Sequence, residues 1–170
     1  MLFVNIKHNK LNTMQKITPC LWFNGKVEEA LDFYTSIFDS ARVKDVTYYG
    51  EGSPMPAGSV MTATFDLEGQ EFMILNGGPH FTHSEAISFV VHCIDQKEID
   101  FFWESLTADG GQESMCGWVK DKYGISWQIF SIDLREMMLD EDPEKVQRVM
   151  QAVWHMKKLD LEKLKEAFHG

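Results

Sequence analysis

The strongest constraint on the fold is an order of local patterns that occurs twice along the chain. Residues 17–23 form a short apolar run containing Pro19, and a proline without an amide hydrogen confines such a run to an edge strand or a bulged one. Val27, Ala30, Leu31, Tyr34 and Phe38 then recur at spacings of three and four, which predicts an amphipathic helix over 26–39. Strand-like stretches follow at 42–49, 59–66 and 71–76, separated by a Gly/Pro loop over 50–58 and a turn at Glu68-Gly69. The order begins again at 86–93, AISFVVHC, after which Ile99, Phe102, Trp103 and Leu106 mark one face of a second helix ended by Gly110-Gly111. Strand-like segments return at 116–121 and 125–131 around a turn at Tyr123-Gly124. Asp32-Phe33-Tyr34 in the first helix matches Asp100-Phe101-Phe102 in the second, and Gly69 opens a strand as Gly124 does.

After Ser131 the pattern is helical to the end. Asp142-Pro143 is a helix start, with Asp as N-cap and Pro at the first helical position, and Val146, Val149, Met150 and Val153 form one apolar face. Asp160 is placed to cap a last helix carrying Leu161, Leu164 and Phe168. These helices either cover the sheet or mediate dimerisation. Residues 1–13 read as a loose polar leader without the apolar stretch of a signal peptide, and Met14 is an alternative start.

Composition narrows the function classes. Sixteen Lys and Arg against 26 Asp and Glu give a net charge of −10, with no basic cluster, which argues against nucleic acid or an anionic membrane surface as partner. No apolar run approaches the roughly 20 residues of a membrane span. Cys20, Cys93 and Cys116 are an odd count with no CxxC spacing, which indicates neither a disulfide framework nor a thiolate zinc site and suits a cytoplasmic location. Twelve Phe, five Trp and four Tyr are many for 170 residues and suit a wide apolar interior or an apolar ligand cavity.

The segments ITPCLWFNGKVEEALDFYTSIF, GQEFMILNGGP, EAISFVVHCID, CGWVKDKYGISWQIF and DPEKVQRVMQAVWHMKKLDLEKLKEAF span nearly everything from residue 17 to 168. Together they resemble the vicinal-oxygen-chelate (VOC) superfamily of glyoxalase, bleomycin-resistance and extradiol-dioxygenase relatives, and within it the PhnB-like branch. The resemblance implies an α+β fold: paired βαβββ modules forming cupped mixed sheets, at 14–80 and 81–132, with a helical C-terminal extension over 133–170. It also implies a ligand inside the cup and a homodimer.

Metal-dependent relatives hold a divalent ion between a His or Gln on the first strand and a Glu on the last strand of each module. Those positions map here to Thr18 and Met73 in the first module and to Ala86 and Gln128 in the second. A Lewis-acid ion needs imidazole or carboxylate ligands, so no metal and no other cofactor is expected at this place. The alternative set is His80, His83 and Glu85, clustered in the Gly-Pro loop between modules, where a solvated linker is the plainer reading.

Strand alternation assigns Ser88 and His92 to one face and Ile87, Phe89 and Val91 to the other. His92 at the cup rim is a candidate acid, base or hydrogen-bond partner, against the simpler reading of a structural histidine. Cys20 and Trp22 share parity with Thr18 and line the first cup, Cys20 as an inert thiol or a nucleophile, Trp22 and Trp118 as stacking or core residues. The expected cup is therefore Cys20, Trp22, Met73, Ser88, His92, Trp118 and Gln128, with Trp127 in the core and Asp121 serving the turn.

Three functions follow as expectations. One is a metal-free binder of a small apolar or aromatic molecule; another is a glyoxalase- or dioxygenase-type enzyme with an unconventional divalent-metal site or a His92-based one. The third is 3-demethylubiquinone 3-methyltransferase, a label often attached to this family. Adenosyl-dependent methyl transfer of the common kind uses a Gly-rich first strand-helix turn, and Phe23-Asn24-Gly25-Lys26 stands there instead.

Overall fold

The computed structural model describes residues 15–170, so the expected leader and the start at Met14 lie outside the described residues. The described residues divide into two compact units, one ending at His80 and one spanning 81–170. In the first, β1 (Cys20–Phe23), α1 (Val27–Ile37), β2 (Arg42–Tyr48), β3 (Val60–Leu67) and β4 (Gln70–Asn76) form a βαβββ module with sheet order β1-β4-β3-β2. Strand β1 is parallel to β4 and the other pairs are antiparallel. It starts at Cys20 rather than at residue 17, because Pro19 can accept but not donate: its carbonyl takes the Met73 amide at 2.9 Å. The edge position expected for this strand is the one observed.

Helix α1 buries Val27, Ala30, Leu31, Tyr34 and Ile37. Tyr34 stacks on Phe65 and Phe65 on Phe72, with ring centroids 6.1 and 5.7 Å apart, so the helix side of the sheet is an aromatic core. Strands β3 and β4 are joined by two residues with left-handed backbone, Glu68 (φ 48°) and Gly69 (φ 81°), the mirror-image turn that matches strand twist.

The second unit repeats the module with β5 (Ser88–Cys93), α2 (Gln96–Thr107), β6 (Gln112–Glu113), β7 (Trp118–Lys120) and β8 (Ser126–Ser131) in the order β5-β8-β7-β6. Asp95 caps α2 by accepting from the Glu98 amide, and Ile99, Trp103 and Leu106 face the core. Strand β6 has no sequence signature: it is two exposed polar residues, held by pairing with β7 and by a 3.0 Å bond from the Trp103 indole to Glu113.

Helices α3 (Ile132–Met138), α4 (Pro143–Trp154) and α5 (Leu161–His169) complete the second unit. Asp142 and Asp160 cap α4 and α5 as expected, accepting from Glu144 and Lys163 amides. The extension is fastened to its own module. The Cys116 and Gly117 amides donate to the Met156 and Lys157 carbonyls at 2.7 Å, and the Gln96 side chain bonds both the Leu159 carbonyl and the Leu161 amide. Among the described residues no helix is long and apolar enough to cross a membrane.

Candidate functional site

Each sheet has a face turned away from its helix, and strand register fixes what that face presents. In the first unit Cys20, Met73 and Thr64 form one row, Trp22, Leu75 and Thr62 the next. A third row holds Glu71, Asp66 and Arg42, and Thr18 donates to Glu71 Oε1 at 3.1 Å. Lys44, set out of register by a bulge in β2, reaches Asp66 Oδ1 at 2.8 Å and Glu71 Oε2 at 2.9 Å, while Arg42 Nε lies 3.1 Å from Asp66 Oδ2. Both carboxylates are buried, and the hydrogen bond from Lys44 is the main cause holding each below the ordinary carboxylate range. The same contacts push Lys44 up. This row neutralises itself.

Two expected cup residues of the first unit are committed elsewhere or poorly suited to chemistry. The Trp22 indole N–H donates to the Gly78 carbonyl at 2.8 Å, and its ring fills the space a Cβ on Gly77 would need, so it pins the segment after β4. Cys20 is exposed, yet desolvation pushes its thiol up, the wrong direction for a nucleophile. Met73 is half-buried between Cys20 and Thr64.

In the second unit the rows are Ser88–Ser126–Lys120, then Val90–Gln128–Trp118, then His92–Phe130. Gln128 Nε2 donates to Ser88 Oγ at 2.9 Å, and the exposed His92 meets the Phe130 ring edge-on at 6.5 Å. Thus Ser88, His92, Trp118 and Gln128 share one face. Lys120 forms an ion pair with Glu85, which holds the Glu85 carboxyl below its ordinary range. Ser126 is 2% exposed, and its Oγ is the one buried side-chain oxygen or nitrogen among the described residues with no hydrogen-bond partner. Val119, Trp127 and Ile129 are buried on the opposite face, as expected for Trp127, whose indole donates to the buried Asp121 at 2.9 Å. Asp121 also takes the Tyr123 and Ile125 amides, which is the turn role assigned to it.

The superfamily's metal positions do not fit a divalent ion. Thr18 and Gln128 are engaged with Glu71 and Ser88, Met73 offers only a thioether, and exposed Ala86 precedes β5. Register pairs Gln128 with Val90, and its side chain reaches Ser88 rather than Ala86. Among the described residues no three His, Cys, Asp or Glu side chains group in a way that would hold a metal. Of the alternative set, His80 belongs to the first unit and His83 and Glu85 to the second, where Lys120 occupies Glu85. Cys93 is buried on the helix side with its thiol pushed up to about 12.

A family model described as 3-demethylubiquinone-9 3-methyltransferase matches residues 15–130. The chain belongs to this PhnB-like family. The PhnB protein of Bacillus cereus is 41% identical over 69% of this chain and 99% of its own, with a TM-score of 0.63. Two further crystal structures share the fold: protein PA1353 of Pseudomonas aeruginosa, 21% identical over 69% of this chain and 98% of its own (TM-score 0.57), and FosX of Listeria monocytogenes, a fosfomycin resistance protein, 14% identical over 72% and 97% (TM-score 0.51). No curated protein matches. The fold expected from the resemblance, two four-stranded mixed sheets in an α+β VOC-type chain with C-terminal helices, is the fold observed.

Sequence reasoning missed the polar row of this PhnB-like chain. Ser126 and Lys120 share parity with Gln128 and Trp118, so alternation counted outward from those residues would have found them. The pairing of Lys120 with Glu85, 35 residues away, had no local signal.

Proposed function

We propose that this PhnB-like protein is a metal-free binder that holds a small apolar or aromatic molecule in the module cup. The observation that carries the reading is the chemistry of the four superfamily metal positions, which supply a hydroxyl, a thioether, a methyl group and an amide, two of them already hydrogen-bonded. Support comes from the second unit's open face, where Trp118, Phe130 and Val90 offer contact area beside Ser88, Gln128 and His92 as polar handles. Three unpaired cysteines suit a cytoplasmic protein, and the resemblance suits a homodimer.

The methyltransferase description of the family draws no support from the β1–α1 turn. The β1–α1 turn carries Gly25 and Lys26, both at positive φ, and the Gly25 amide is already bonded to Asn76 Oδ1 at 2.8 Å rather than open to a cofactor. The enzyme alternative rests on His92, or on a metal at His80, His83 and Glu85, and the last of these is paired with Lys120.

Elemental analysis after incubation with Zn, Mn, Fe, Ni and Co, beside thermal shifts for each ion and for small aromatic probes, tests the reading. The expected outcome is sub-stoichiometric metal, no ion-specific shift and stabilisation by an aromatic probe. Stoichiometric metal with a thermal shift, lost in His80→Ala and His83→Ala variants, would overturn it in favour of the metal enzyme.

A further inference from the structure

The second unit's open face carries a row in which every side chain has a proton to donate. Ser126 sits between Ser88 of β5 and Lys120 of β7. Its hydroxyl is almost completely buried and has no partner, although a buried hydroxyl is normally hydrogen-bonded. Ser88 Oγ accepts from Gln128, which leaves its own O–H to donate. Lys120 brings an ammonium group. Donors of this kind side by side in one row, two hydroxyls and a cation, are complementary to an acceptor-only group carrying negative charge.

A carboxylate already stands there. Glu85, on the segment leading into β5, pairs with Lys120 on the far side of Ser126, so the ion pair links the two flanks of the orphan hydroxyl. The Glu85 side chain is 64% exposed and that of Lys120 30%, and an ion pair with one partner mostly in water is weakly held. A ligand oxyanion that also satisfies Ser126 and Ser88 makes more bonds to this row than Glu85 does.

The neighbouring row fixes what the anion is attached to. Val90, Gln128 and Trp118 lie two residues further along the strands, which is about 7 Å at ordinary strand rise. That is the span of a carboxylate joined to one aromatic ring. We infer that the second module binds an aromatic oxyanion, its charged end on Lys120, Ser126 and Ser88 and its ring against Trp118, with Glu85 as the displaceable resting occupant. This rests on the proposed cup reading and adds charge to it.

Benzoate and its neutral isostere benzamide test the inference by titration into the 15N-labelled full chain. Benzoate is expected to shift the Ser88, Lys120, Ser126 and Gln128 amides saturably, and benzamide to bind about tenfold more weakly or worse. Glu85→Gln, which removes the competing carboxylate, is expected to raise benzoate affinity several-fold. Lys120→Met is expected to abolish the preference for benzoate, and Lys120→Arg to keep it. Equal affinity for the two probes on this face overturns the anion assignment and leaves the cup reading standing. No shift from either probe, or shifts confined to α3–α5, overturns both. Unchanged benzoate affinity in Glu85→Gln overturns the role given to Glu85.

Discussion

The two modules use the same register positions in opposite ways. Two residues after its turn glycine, the first unit places Glu71, flanked by Thr18 and Asp66; two residues after Gly124, the second places Ser126, flanked by Ser88 and Lys120. In the first unit Lys44 and Arg42 satisfy both acids from within the sheet. In the second the cation's partner comes from an exposed segment and the central hydroxyl has none. One backbone plan thus gives a row that is closed on itself and a row that is open to a partner. The turns diverge in the same sense. Leu67 and Phe72 are buried apolar residues, whereas the matching Asp121 and Trp127 are a buried polar pair.

The largest effect is expected where the second unit relies on that polar pair. Asp121 is 2% exposed and takes the amides of Tyr123 and Ile125 and the Trp127 indole at 2.9 to 3.0 Å. Asp121→Ala leaves these donors without the acceptor, and a loss of about 3–4 kcal/mol is expected in urea unfolding. If it is under 1 kcal/mol, the polar turn is no more demanding than the apolar one, and this part of the contrast fails.

The closed row of the first unit should break next. Lys44→Met leaves Asp66 and Glu71, both 7% exposed, without the cation they share. A clear fall in melting temperature is expected at neutral pH. The pH dependence separates this from lost packing. In the parent chain both carboxyls titrate below their ordinary values, so their contribution is full above the ordinary carboxylate range and is lost as pH falls through the lowered values. In Lys44→Met the two carboxylates repel, and mild acid should recover stability. Melting curves from pH 3 to 8 on both proteins would show parallel declines if the shared cation were unimportant.

Gly77→Ala probes the commitment of Trp22. A Cβ there runs into the indole, which also donates to Gly78, so the ring must leave its place; a cost of about 1–3 kcal/mol is expected, with a change in tryptophan fluorescence. An unaltered emission spectrum would mean that Trp22 is free to stack on a ligand after all.

These contrasts show which parts of the molecule were legible in the sequence. The helices were, because their apolar faces and the caps Asp142 and Asp160 are local signals, and so was the turn at Glu68-Gly69. Strand β6 was not, since two polar residues carry no alternation and exist as a strand only through β7. The closed and open rows were half legible. Parity alone puts Ser88 with Gln128, but the reach of Lys44 depends on a bulge, and the Lys120–Glu85 pair depends on a contact across 35 residues. Register puts Cys20 and Trp22 beside Met73 and Leu75, while their availability was decided by Gly77, Gly78 and local desolvation.

The smallest effect concerns Ser126 itself and has the opposite sign from the rest. A buried hydroxyl without a partner opposes folding, because its desolvation is not offset by a hydrogen bond. Ser126→Ala removes that hydroxyl with little change of volume and should stabilise the ligand-free chain by up to about 1 kcal/mol in urea unfolding. In the first unit Glu71 stands at the matching position and accepts from Thr18, so Thr18→Ala, which removes that donor, should destabilise instead. Opposite signs in the two rows are what a closed row and an open row require. A destabilised Ser126→Ala would mean that the hydroxyl is satisfied in solution, and the second row would then be as closed as the first.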